Sequence, residues 1–156
     1  MTAEPSAADE AWMRRAIELS RLCPPSHTAF SVGAVIVDAE GNEIANGYSR
    51  EMDEHVHAEE SALAKLATDD ARLGSATIYS TLEPCAKRRS RPRTCTELIL
   101  AAGIPRVVIA WREPDLFVTD VDGVEVLRSS EVAVIELPHI SAEVRKANAH
   151  LPGIAE

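Results

Sequence analysis

The feature that most constrains this chain is a set of residues in three short stretches: His57-Ala58-Glu59, Glu83-Pro84-Cys85, and Cys95. One imidazole and two thiols are donors that zinc accepts, and three protein ligands leave a fourth tetrahedral position open for water. A structural zinc site normally takes four protein ligands. Glu59, a carboxylate outside the ligand set, would sit beside the open position and could carry protons, which points to hydrolysis rather than a structural clip. His55 is a competing ligand, but only His57 has a glutamate two residues on, and His55 reads as a solvent-exposed neighbour. Any fold for this chain must therefore bring three separated segments to one point.

The hydrophobic pattern supplies elements that can do so. Trp12, Met13, Ala16, Ile17 and Leu19 recur at helical spacing between Asp9 and Cys23, and Pro24-Pro25 ends the pattern. Residues 1–8 read as a disordered tail of Ala, Ser, Pro and acids. Phe30 to Val37 and Glu43 to Tyr48 flank the turn sequence Asp38-Ala39-Glu40-Gly41-Asn42 and predict a hairpin. A helix is predicted over His57 to Leu66, which puts His57 and Glu59 in its first turn, where free N–H groups favour an ionised carboxylate. A strand over Ala76 to Thr81, a helix over Thr96 to Ala102 ended by Gly103, and a buried strand over Arg106 to Trp111 follow. Gly123 to Ser130 fits a helix or a hairpin arm; the helix is favoured because it completes a crossover to a strand over Val132 to Leu137. Ser141 to Ala149 is the last helix. An initial hairpin followed by alternating strands and helices predicts an α/β fold, a layered sandwich around one mixed sheet. At 156 residues the chain suits one domain, over residues 9–156, with no room for a second catalytic domain.

Charge is unevenly spread. Lys87, Arg88, Arg89, Arg91 and Arg93 put five cations in seven residues between the two cysteines, so the rest of the chain sets 11 Lys and Arg against 25 Asp and Glu, a balance of −14. Such a body repels a nucleic-acid backbone, while the basic loop could hold a small phosphate group. Three cysteines without an export signal favour metal binding over a disulfide framework, and Cys23 reads as a small buried thiol. No apolar run is long enough to span a bilayer, so no membrane partner and a cytoplasmic location are expected.

His-x-Glu at a helix start, Thr81-Leu82-Glu83-Pro84-Cys85 at a strand end and Cys95 at the next helix start together resemble the zinc-dependent cytidine deaminase superfamily. The resemblance implies a three-layer α/β/α sandwich with a mixed five-stranded sheet, one Zn2+ on His57, Cys85 and Cys95, and Glu59 as proton shuttle. It also implies that the Glu83 carbonyl accepts from the exocyclic amine and that an N–H near Ala58 or Glu59 meets the ring carbonyl. Nine residues separate Cys85 from Cys95, and that long insertion looks like the pyrimidine deaminase of riboflavin synthesis, whose substrate is a ribosylaminopyrimidine phosphate. That family carries a basic residue four before the second cysteine, where Arg91 stands; Lys87, Arg88, Ser31 and Ser49 complete the candidate substrate contacts. Ala29-Phe30-Ser31-Val32-Gly33 replaces the family's Asn-Pro-Asn-Val-Gly, and Cys85-Ala86-Lys87 replaces its Cys-Ser-His. Relatives commonly assemble, so a homodimer or homotetramer is expected.

Two other functions remain open at this stage. One is a deaminase of unphosphorylated bases or nucleosides, such as cytosine, cytidine or a guanine-type base. The other is a zinc-stabilised binding module whose basic loop grips an anionic partner, a use that would leave Glu59 without a purpose.

Overall fold

The computed structural model describes residues 4–86, 92–112 and 123–151. The chain runs helix α1 (Ala7–Ser20), strands β1 (Gly33–Val37) and β2 (Glu43–Tyr48), helix α2 (Ala58–Ala64), strand β3 (Thr77–Leu82), helix α3 (Cys95–Ala102), strand β4 (Arg106–Trp111), helix α4 (Gly123–Ser129), strand β5 (Ala133–Glu136) and helix α5 (Ser141–Ala147). Short 3-10 turns cover Ala71–Ser75 and Pro138–Ile140.

The first helix starts earlier than its apolar pattern indicates. Ser6 caps it: the Asp9 N–H donates to Ser6 Oγ at 3.2 Å, and the Ser6 N–H donates to Asp9 Oδ2 at 2.9 Å. The tail expected over residues 1–8 is thus corrected at Ala7 and Ala8, which are helical. The predicted hairpin forms around the Asp38–Asn42 turn, where Gly41 takes a positive φ of 84° and the Asp38 carboxylate accepts from the Glu40 and Asn42 N–H groups. At Gly103, φ is 77° and the residue closes α3 in the left-handed conformation expected of a glycine there.

The sheet order is β2-β1-β3-β4-β5. β1 pairs antiparallel with β2 and β3, whereas β3, β4 and β5 are parallel, so the sheet is mixed as expected. Alternation along the strands divides the core in two. Ile36, Ile78, Val107 and Ile109 pack with Ala62, Ile99, Val124 and Leu127 of α2, α3 and α4. Val35, Tyr79, Val108 and Ile135 pack with Met13 and Ile17 of α1 and Val144 of α5. Helices therefore cover both faces, and β3 is buried along its whole length.

This topology builds the site. The parallel strands β3 and β4 end at the same sheet edge, where the Glu83 N–H donates to the Trp111 carbonyl at 2.9 Å. Carboxyl ends of parallel strands are where α/β sheets hold ligands. On β2, a Cβ at Gly47 would stand 2.5 Å from the Ala58 carbonyl oxygen, so only glycine lets the first turn of α2 lie this close to the sheet. Among the described residues no helix is long and apolar enough to cross a membrane.

Candidate metal centre

His57 is the N-cap of α2, one position before the helix proper rather than inside its first turn. Its backbone is extended, and its N–H donates to the Glu60 carboxylate at 3.2 Å, which fixes the entry to the helix. Glu59 lies in the first turn and is 3% exposed. Cys85 follows β3 across the Glu83-Pro84 turn, and Cys95 opens α3. Thr94 caps that helix: the Glu97 N–H donates to Thr94 Oγ1 at 3.2 Å and the Thr94 N–H to the Glu97 carboxylate at 2.9 Å.

The two cysteine segments are stitched directly. The Cys95 N–H donates to Cys85 Sγ at 3.2 Å, and the Thr96 N–H donates to the Cys85 carbonyl at 3.1 Å. His57 Nδ1 stands 3.5 Å from Cys85 Sγ and 3.4 Å from Cys95 Sγ, and the three donor atoms all lie within 4.8 Å of one another. Tetrahedral zinc with Zn–S and Zn–N bonds of about 2.3 and 2.1 Å would separate sulfur from nitrogen by about 3.6 Å. The residues present fit the ion. Neither thiol is in a disulfide.

Electrostatics agree with ligation. A hydrogen bond from the Cys95 thiol, opposed by burial and assisted by His57 and the Cys95 N–H, pushes the Cys85 thiol down to about 4, which favours the thiolate form a metal takes. Burial pushes the Glu59 carboxyl above its usual range, against the attraction of His57 and the hydrogen bond Ser80 Oγ gives to Glu59 Oε2 at 3.1 Å. A carboxyl raised in this way is a stronger base than an ordinary carboxylate, which suits a group that takes and returns a proton.

The other candidates fall as follows. Ala58 is fully buried in a cluster with Phe30, Val32, Ala34, Leu82 and Leu151. Ser31 is buried; its N–H donates to Asn148 Oδ1 at 2.6 Å, and its hydroxyl accepts from Arg50 Nη2 at 3.4 Å. Ser49 Oγ accepts from the Val32 N–H at 2.9 Å, so its hydroxyl is engaged with the strand leading into β1. The Glu83 side chain is turned away from solvent and accepts from the Val124 N–H at 2.9 Å. Lys87, Arg88 and Arg91 lie outside the described residues. His55 is exposed and stands 3.5 Å from the Glu54 carboxylate, as expected of a neighbour rather than a ligand. Cys23 is only partly buried, with Sγ 3.5 Å from the Val32 carbonyl.

Two residues that hold Ser31 escaped sequence reasoning. Asn148, fully buried on the turn after α5, holds both backbone groups of Ser31. Arg50 donates to the carbonyls of Pro24 and Phe30 and binds the loop before β1 to the loop before α2. Neither belongs to a local motif. Arg50 does adopt a positive φ of 63°, which no sequence signal announces for an arginine.

Comparison with known proteins places this geometry. The family model of the cytidine and deoxycytidylate deaminase zinc-binding region matches residues 6–111. The chain belongs to this deaminase family. Within the family, it is 42% identical over 129 residues to the diaminohydroxyphosphoribosylamino-pyrimidine deaminase of Schizosaccharomyces pombe, covering 81% of this chain and 31% of that protein. This deaminase-family chain thus spans about a third of the length of that curated relative. The bifunctional deaminase and reductase of Thermotoga maritima superposes with a TM-score of 0.76 at 36% identity, over 90% of this chain and 39% of that one. The Aspergillus oryzae Rib2 deaminase, solved in complex with DARIPP, gives a TM-score of 0.81 over 95% of this chain and 94% of that one; at 22% identity it shows a shared fold. Zinc is the metal of the family, and the three donors are a set that could hold it.

Proposed function

We propose that this chain is a hydrolytic deaminase of a small phosphorylated ribosylaminopyrimidine of the riboflavin pathway, with zinc on His57, Cys85 and Cys95. The observation that carries the reading is the meeting of those three donors within 4.8 Å of one another, with the buried Glu59 two residues along the chain from one of them. The names of the relatives at 42% and 36% identity support the choice of substrate class. So do five cations between Cys85 and Cys95 in a chain of net charge −9.

Bound zinc supplies a Lewis acid that makes water nucleophilic at neutral pH. The chain's own groups do the rest. Glu59 takes one proton from the attacking water and passes it to the ring nitrogen, then takes the second proton from the newly added hydroxyl and gives it to the amine as the C–N bond breaks. The water oxygen ends as a ring carbonyl, the amino nitrogen leaves as ammonia, and Glu59 is returned to the carboxylate it began as. Ser80 holds one oxygen of that carboxylate in place. The Glu83 carbonyl orients the exocyclic amine, an N–H at Ala58 or Glu59 meets the ring carbonyl, and Ser31 and Ser49 shape the wall formed by the loops flanking the hairpin. Lys87, Arg88 and Arg91 pair with the phosphate. The assembly is a homodimer or homotetramer.

Ammonia release from the ribosylaminopyrimidine phosphate, compared with the same compound after dephosphorylation and with cytosine, cytidine and guanine, tests the proposal. The phosphorylated compound should turn over, and removal of the phosphate should raise KM by roughly tenfold or more. Equal activity without the phosphate, or activity confined to the free bases, would contradict it.

A further inference from the structure

Glu83 is a buried carboxylate that the chemistry above does not use. It is 4% exposed, one proline away from Cys85, and its Oε2 accepts from the Val124 N–H at 2.9 Å across a sequence separation of 41 residues. A second contact at the same place is independent of it. A Cβ at Gly123 would stand 2.0 Å from the Pro84 carbonyl oxygen and 3.2 Å from the Pro84 carbonyl carbon, a clash with backbone that no rotamer change relieves. The first turn of α4 is therefore pressed against the backbone that delivers Cys85, and the Glu83 carboxylate fastens it there.

We propose that Glu83 and Gly123 form a positioning pair for the metal centre: the Glu83 carboxylate, acting through the first turn of α4, fixes the Glu83-Pro84-Cys85 turn so that the Cys85 sulfur and the Glu83 carbonyl point into the site. The inference rests on the reading of that site as a zinc centre. The physical reason is that the turn is anchored unevenly. Its ends are held by the Glu83 N–H to the Trp111 carbonyl and the Cys85 carbonyl to the Thr96 N–H. Proline offers no N–H between them, so the docked α4 turn braces the middle. Toward the Val124 N–H the carboxylate oxygen acts as an acceptor, a part that an amide oxygen of the same reach should also play.

Three variants of the full chain test this. Each is loaded with zinc and titrated with a chromophoric chelator for zinc affinity, alongside thermal unfolding and, separately, kcat and KM. Glu83→Ala and Gly123→Ala are expected to weaken zinc binding by roughly 10- to 100-fold, the range typical when a partner that orients a ligand is lost. Both should lower kcat more than they raise KM. Glu83→Gln, which can accept the same N–H, should stay within about threefold of the parent. Parental zinc affinity in a folded Glu83→Ala or Gly123→Ala protein would overturn the proposal, even with a lower melting temperature. So would equal loss in Glu83→Gln and Glu83→Ala. If Glu83→Ala does not fold, Gly123→Ala and Glu83→Gln decide alone. Zinc affinity is read without substrate, so a parent chain that binds zinc yet releases no ammonia would count against the deaminase assignment and leave this test intact.

Discussion

Cys95 joins two roles in one residue: its sulfur is one of three donors that could hold a metal ion, and its N–H holds the sulfur of Cys85. Serine at this position keeps the backbone bond and removes a soft ligand. Cys95→Ser should therefore fold but lose most of its zinc, with affinity lower by roughly tenfold or more. Elemental analysis after dialysis checks it, and one zinc per chain in the variant would mean a different third ligand. This donor set was legible in the sequence because zinc chemistry dictates residue types and because His57 and Glu59 share one local motif. The Glu83 carboxylate, Asn148 and Arg50 were not legible. Their partners lie 41, 117 and 20 residues away, at separations that local spacing cannot reveal.

At the level of elements, the short helices depend on bonds from outside themselves. α5 is tied to the segment before β1 by Asn148, which accepts from the Ser31 N–H at 2.6 Å and donates to the carbonyls of Ser31 and Val144. Asn148→Ala would leave buried Ser31 groups unsatisfied. A loss of about 1–3 kcal/mol is expected in urea unfolding, and an unchanged midpoint would show that α5 is docked by its apolar contacts alone. The start of α1 was written in the sequence as Ser6-x-x-Asp9, a capping pattern, but the polar, Ala-rich stretch around it read as a tail. α4 was ambiguous because only Val124 and Leu127 face the core while Val126 is 39% exposed. Two buried apolar side chains do not define a period. The parallel pairing of β4 with β5 is what requires the crossover that α4 provides.

Across the whole molecule, a buried network at the opposite end of the sheet from the metal centre joins α1 to β3 and β4. Asp9 pairs with Arg106 at 2.7 Å and accepts from the Tyr79 hydroxyl at 2.6 Å. Burial alone would raise the Asp9 carboxyl, but Arg106, Tyr79 and the Ser6 N–H outweigh it and hold it at about 2, below the ordinary 3.8. Because the folded value is the lower one, this stabilisation is complete above about pH 4 and is lost as pH falls toward 2. It amounts to roughly 1–2 kcal/mol, discounted for solvent reaching the pocket that Asp9 lines. Asp9→Asn should flatten that part of the acid unfolding profile, and an unaltered profile would place the acid-sensitive group elsewhere. The overall architecture was legible from the alternation of strands and helices, whereas this network was not, since a single Asp in a helix and an Arg opening a strand carry no pairing signal. Ammonia release by zinc-loaded Glu59→Gln, measured beside the parent chain at equal zinc content, bears most directly on the central claim. The claim predicts one zinc per chain in both proteins and a rate lower by about 10²–10⁴-fold in the variant; turnover at the parent's rate would contradict it.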